Sequence, residues 1–264
     1  MKKYLLVTYN SFSEILTYRL NFAMWRLRNV LGFLTIYFLW TAVMPENGTL
    51  FGYSYQQMLT YVLLNMLITS IVLSTKTHEI AENINSGDLS VFLIKPFGYF
   101  KYWFFRDLGD KAMNILFSIL EVALLIFLFK PPLFIQTNLT YLGLFVLTLF
   151  LAIILHFFIS SILSLTGFWS SEVWAPRFIF YILVTFFTGG IFPLDILPQP
   201  IYEVFMFLPF AYLQYFPLKI YLGGLSQIEI LQGFLMSISW TLIFFWLANY
   251  IFRLGLKSYT AVGR

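Results

Sequence analysis

Six stretches of the chain stay apolar for about the 20 residues that a helix needs to cross a hydrocarbon core. They are Leu27–Met44, Gln57–Thr75, Ala112–Phe129, Leu139–Leu165, Trp174–Phe192 and Leu231–Phe252. The fourth is long enough to tilt or to project beyond the membrane. Four segments between and around them do not span. Residues 2–20 place Tyr4, Leu5, Tyr9, Phe12, Ile15 and Leu16 near helical spacing with polar groups on other faces, which predicts a helix lying in the membrane interface. Lys76–Lys111 is partly apolar but too charged to cross, and Gly87 and Pro96 bracket a short element over Asp88–Lys95. Residues 193–230 hold Pro193, Pro198, Pro200, Pro209 and Pro217 among many Phe, Leu and Tyr. Irregular backbone at membrane depth is tolerated only against protein or a water-filled cavity, so this segment predicts a pair of short re-entrant helices. The last segment, Arg253–Arg264, is a short basic tail.

Charge then orients the chain. With the N-terminus inside, Lys2, Lys3, Arg19, Arg26, Arg28, Lys76, Lys95, Lys101, Arg106, Lys111, Arg177, Arg253, Lys257 and Arg264 fall on the cytoplasmic side, against Lys130 and Lys219 outside. Cytoplasmic loops carry the excess of basic residues, so both termini are expected in the cytoplasm. The 60% hydrophobic and 11% charged composition is that of a chain solvated by lipid. The same rule accounts for the net charge of +4, and no basic run is long enough to follow a nucleic-acid backbone. Lys2 and Lys3 do not open a cleavable signal peptide, since Glu14 and Arg19 follow without a small-residue cleavage site.

Candidate chemistry is sparse. The chain has no cysteine, and no Gly precedes a Lys, so no P-loop can cradle ATP phosphates. His78-Glu79 begins like a zincin motif, but Glu82 stands where the second His belongs. No G-x-S-x-G nucleophile elbow occurs. Asn47-Gly48-Thr49 and Asn138-Leu139-Thr140 match the glycosylation sequon on the outer side. Away from the span ends, two ionisable residues fall inside predicted spans, Glu121 in the third and His156 in the fourth. Each reads either as a relay or substrate group, or as a polar side chain facing the helix bundle.

Three motifs carry a resemblance. Asn85-Ser86-Gly87-Asp88-Leu89-Ser90 running to Leu93-Ile94-Lys95-Pro96, the stretch from Gly189-Gly190 through Pro193-Leu194-Asp195 to Pro198 with Leu208-Pro209-Phe210, and Phe252-Arg253-Leu254-Gly255-Leu256-Lys257-Ser258-Tyr259 occur in order. Together they resemble the permease subunits of ABC type-2 exporters, in the branch of about 260 residues once described as a domain of unknown function. Gly263-Arg264 departs from the Gly pair that often ends that branch. The resemblance implies an all-α integral membrane fold of six transmembrane helices forming one domain over residues 1–264. It implies an N-terminal connecting helix, a coupling helix between spans 2 and 3, and re-entrant outer helices between spans 5 and 6. It further implies two copies of a separate ABC ATPase subunit that carry ATP and Mg, a second six-span permease, homologous or identical, and no cofactor on this chain. The expected location is a plasma membrane, in bacteria the inner membrane. In this picture Glu79, Glu82, Gly87, Asp88, Leu89, Lys95 and Pro96 form the ATPase-coupling element. Gly87 would permit its turn, Asp88 would cap the following helix, and Pro96 would stop it. Pro193, Leu194, Asp195, Pro198 and Pro209 would form the outer gate. The competing readings are a proton-coupled secondary transporter using Glu121 and His156, which a single repeat disfavours, and an intramembrane enzyme, for which no convergent polar set is visible.

Overall fold

The computed structural model describes residues 2–17, 19–96 and 98–260, so Gly263 and Arg264 lie outside the described residues, as do the side chains of Ile15, Leu16 and Arg19. In chain order the elements are α1 (Lys2–Thr17), α2 (Arg19–Val43), a two-stranded antiparallel hairpin of β1 (Thr49–Leu50) and β2 (Tyr53–Ser54), and α3 (Tyr55–Ile68), which continues as a π-helical turn over Thr69–Leu73. Then come α4 (His78–Asn85), α5 (Leu89–Leu93), α6 (Tyr99–Phe129), α7 (Leu139–Leu165), α8 (Trp174–Phe187), α9 (Gln199–Phe207), α10 (Tyr215–Leu222) and α11 (Gln227–Ser258).

Local chemistry sets several of these ends. Ser54 and Gln57 form a reciprocal capping box that starts α3, and Ser226 with Glu229 does the same for α11. Asn138 starts α7 by accepting from the Thr140 N–H at 2.9 Å, so this sequon asparagine serves as a helix cap. Several boundaries move from expectation: α2 begins at Arg19 rather than Leu27, and α8 ends at Phe187 rather than Phe192. α6 begins at Tyr99 rather than near Ala112, and α11 runs from Gln227 to Ser258, past both predicted ends.

Four helical runs, Tyr55–Asn85, Tyr99–Phe129, Leu139–Phe168 and Gln227–Ser258, are long and apolar enough to cross a membrane by length and composition. α8, at 14 residues, is an additional shorter apolar helix. α3 is the central helix: 67% of its apolar window is buried inside the protein, against 17% for α11. Met58, Leu59, Tyr61 and Val62 of α3 pack with Leu155 and Ile159 of α7 and Phe216 and Leu218 of α10 in the main core. The outward faces of α2, α6, α8 and α11 carry exposed Leu, Ile and Phe, the arrangement of a helical membrane protein whose outer solvent is hydrocarbon. A second core lies at the end of the molecule that carries α4 and α5, where Ile80, Ile84 and Leu89 meet Trp103, Phe157, Leu165 and Phe168.

α1 lies along the first turns of α6, with a mixed seam. Tyr4 stacks on Phe105 with ring centroids 5.0 Å apart, Thr8 Oγ1 donates to the Phe105 carbonyl, and Ser11 Oγ donates to the Arg106 carbonyl. Leu5, Leu6 and Tyr9 point away from the protein and are exposed. The close approach needs Gly109, because a Cβ there would stand 2.5 Å from the Thr8 carbonyl oxygen and 2.7 Å from Ser11 Cβ. Gly109→Leu is therefore expected to lift α1 off α6. In a chain without native cysteine, cross-linking of a Tyr4→Cys/Phe105→Cys pair should fall by about tenfold, the effect of ~1.4 kcal/mol. Unchanged cross-linking would show that the contact tolerates the added bulk.

Candidate functional site

Three polar constellations sit at three levels of the helix bundle. The first is built on the turn between α4 and α5. Ile80, Ala81, Ile84 and Leu89 are buried and anchor both short helices, while Glu82, Asp88, Val91, Leu93, Ile94, Lys95 and Pro96 are exposed. Gly87 joins the helices at φ +85°, a conformation that side-chain-bearing residues avoid. Tyr259, just past α11, closes the turn: its hydroxyl donates to the Gly87 carbonyl at 2.6 Å and accepts from the Ser90 N–H at 3.2 Å. The expected cap by Asp88 is not present. Its carboxylate accepts instead from Ser86 Oγ at 2.7 Å, because the Asp88 backbone is already helical and turns the side chain back on the preceding loop. α5 ends at Leu93, three residues before Pro96.

Glu79 faces the other way. Its carboxylate accepts from Arg106 Nε at 2.5 Å and pairs with Lys76 at 3.2 Å, and Arg106 also bridges to Glu14 at 2.8 Å. Burial, the largest influence, raises the Glu79 pKa, but the Arg106 hydrogen bond and the Arg106 and Lys76 charges outweigh it and hold the carboxyl below its usual range. Glu79 thus ties α4 to α6 and, through Arg106, to α1.

The second constellation lies deeper. Glu121 on α6 pairs with Arg26 of α2, with Arg26 Nε at 2.7 Å from one carboxylate oxygen and Arg26 Nη2 bonded to the other. The same guanidinium donates to Ser118 at 2.9 Å and to Ser70 and Asn114 at 3.3 Å. Arg26 is only 5% exposed, so the residue counted among the cytoplasmic charges is an interior counter-ion. Lys111 is likewise interior: its ammonium pairs with Asp107 at 3.4 Å and donates to the Val72 and Ser74 carbonyls where the π-helical turn ends. His156 lies elsewhere, on α7, 5% exposed, with its Nδ1 unpartnered among the described residues. It is not among the partners of Glu121.

The third constellation holds the Pro-rich segment. Three consecutive carbonyls, of Gly189, Gly190 and Ile191, accept from Tyr61 Oη at 2.7 Å, Asn65 Nδ2 at 2.7 Å and Trp40 Nε1 at 2.9 Å. Gln214 bridges Thr188 and Thr69, donating to the latter at 2.6 Å. The backbone that leaves helical geometry after α8 is thereby satisfied by side chains of α2 and α3, as a water-poor setting requires. Below it, Asp195 accepts from Lys219 at 2.7 Å and from Tyr53 Oη at 2.8 Å, and Lys219 also donates to Tyr53 Oη at 3.0 Å. Pro193, Leu194 and Pro209 are buried, and Pro198 is the exposed residue that precedes α9. The two short helices differ: α9 buries none of its residues, whereas α10 is buried along most of its length.

Arg26, Trp40, Tyr53, Tyr61, Asn65, Gln214 and Lys219 escape the sequence reading. The available signal is polarity inside apolar runs: Asn65 interrupts Gln57–Thr75, and one unbalanced acid in a span implies a base at the same depth.

Residues 30–263 match the family described as ABC-2 family transporter protein. No curated protein matches the chain.

Proposed function

The chain belongs to the ABC-2 family of transporter membrane proteins, and from that premise we propose that it is the permease of an ATP-driven exporter, working with two copies of a separate ABC ATPase. α2, α3 with its π-helical turn, α6, α7, α8 and α11 serve as the six spans of one domain covering residues 1–264. α1 is the connecting helix at the interface, and both termini face the cytoplasm of a bacterial inner membrane. A second six-span permease, homologous or identical, completes the path. ATP and Mg belong to the ATPase, and this chain takes no cofactor of its own.

The observation that carries this reading is the two-sidedness of the turn between α4 and α5. Its inner face is fixed by Ile80, Leu89 and the Tyr259 hydroxyl. Its outer face offers Glu82, Asp88 and Lys95 beside the exposed apolar Val91, Leu93 and Ile94. A rigidly held knob with apolar and charged groups is suited to seat in a groove of a soluble subunit. Movement of that subunit would then pass to α6 through Glu79 and Arg106 and to α11 through Tyr259. At the opposite end, the clamped segment from Gly189 to Pro209 would form the outer gate, with the Asp195–Lys219 pair as its latch. Proton-driven transport through Glu121 and His156 is disfavoured, because Arg26 occupies both carboxylate oxygens of Glu121.

Isolation of the tagged chain from its native membrane in mild detergent tests the proposal. A P-loop ATPase should accompany it in stoichiometric amount, and a second permease, if distinct, should appear in the same complex. Recovery of the chain alone under conditions that keep other ABC complexes intact would overturn it.

A further inference from the structure

Between α2, α4, the last turns of α7 and the first turns of α8 lies a cavity of about 610 Å³, adjoining a second of about 830 Å³ that reaches α6. The two share Trp25, Arg28, His78, Glu82 and Tyr181, and each has the size of a small-molecule site. Their charges are unequally committed. Lys76 pairs with Glu79, Glu14 with Arg106, Asp110 accepts from Asn114 at 3.0 Å, and Glu172 accepts from the Trp174 N–H at 3.1 Å. Arg28 and Arg177 have no ion pair among the described residues. Arg177 bonds to the hydroxyls of Ser164 and Ser160, and Arg28 lies 5.9 Å from the ring centroid of Tyr181, the residue one helical turn after Arg177 on α8. Glu82, the one carboxylate here with no bonded partner among the described residues, is exposed where it lines both cavities, and its charge is within electrostatic reach of Arg177. His156 also lines the first cavity, and its buried Nδ1 is unpartnered among the described residues. Arg177 is half-buried and bonded only to neutral hydroxyls, a position an oxyanion would improve, and exposed Arg28 has no ion pair among the described residues.

We infer that this cleft binds the anionic head of an amphipathic molecule. Arg28 and Arg177 hold its phosphate or carboxylate, and Trp25, Trp174, Phe178 and Tyr181 line the cleft for its apolar chain. Guanidinium groups suit such oxyanions through paired, charge-assisted hydrogen bonds. The inference deepens the exporter reading by giving its cargo a chemical class. It rests on that reading for the claim of transport but not for binding.

Trp25 and Trp174 supply the measurement, made on the full chain in detergent without any ATPase. 11-Bromoundecyl phosphate should quench tryptophan fluorescence saturably and bind at least about tenfold more tightly than 11-bromoundecyltrimethylammonium, the margin of one charge-assisted contact. Arg28→Gln, at an exposed position that leaves the fold intact, should abolish most of that preference, as should Arg177→Gln. Equal quenching by the anion and the cation, or a preference that survives both substitutions, would overturn the inference and leave simple partitioning into an apolar groove. Competition by phosphatidylglycerol in nanodiscs would place the source in the membrane. Without it, saturable binding of the single-chain anion assigns a ligand arriving from water. Loss of the ATPase partner with binding intact would refute the exporter and keep the site.

Discussion

Arg26→Ala is expected to destabilise the folded protein by about 3–5 kcal/mol, the cost of leaving one member of a buried ion pair without its partner. Arg26 is the hub of a five-residue set that joins α2 to α6 and to the π-helical turn after α3. Its removal strands the Glu121 carboxylate, and Glu121→Gln strands the guanidinium in the same way. Both single variants should therefore melt well below the wild type in detergent. The double variant Arg26→Met/Glu121→Leu should recover most of the loss, because two apolar groups of similar volume remove both desolvation penalties together. A relay role makes the opposite demand. If Glu121→Gln melts like the wild type and loses only pH-dependent transport, the pair is a proton path and not a staple.

The second large effect is expected at Gly87. Valine there meets a backbone at φ +85°, which costs a β-branched residue at least about 1–3 kcal/mol of strain. Relaxing that strain displaces the carbonyl that accepts from Tyr259 and the Ser90 N–H that donates to it. The coupling knob should lose its fixed orientation while the membrane helices still insert. In vesicles reconstituted with the ATPase, permease-stimulated ATP turnover should fall by tenfold or more, the effect of ~1.4 kcal/mol or greater on a coupled step. Tyr259→Phe tests the same link without backbone strain and should fall less. Asp88→Lys tests the outer face, since Asp88 is exposed and bonded only locally. It should leave melting unchanged while weakening ATPase association. Full coupling in all three variants would reduce the segment to an ordinary loop.

The further set of tests follows from close packing. Helices that lack a hydrophobic drive toward one another in lipid depend on small residues for contact. Gly109 under α1 is one such point, and Gly255 beneath the Phe168 ring is another, where a Cβ would lie 2.0 Å from the ring. Glycine in these helices marks a surface that another element occupies, which its sequence position alone does not reveal.

The existence of the long helices is legible in the sequence, although α2 and α6 begin well ahead of their apolar runs. Apolar length and caps fix α7 at Leu139–Leu165, where the apolar run begins directly after Asn138. Prolines and the glycine at 87 likewise mark where helices stop and turn, because proline lacks the donor and glycine alone accepts positive φ freely. These are properties of a residue and its near neighbours. Tertiary structure decided which charges are spent. Arg26 and Lys111 count as cytoplasmic cations in the sequence, yet one neutralises Glu121 and the other seals carbonyls at the end of the π-helical turn. Asp88 has the composition of a cap and the geometry of a loop brace. Tyr61, Asn65 and Trp40 are ordinary members of apolar helices until the carbonyls after α8 come within reach of them. The physical reason is range: helix formation is settled within a few residues along the chain. An ion pair or a clamp between residues 95 or 128 positions apart exists only once the helices that carry them have packed.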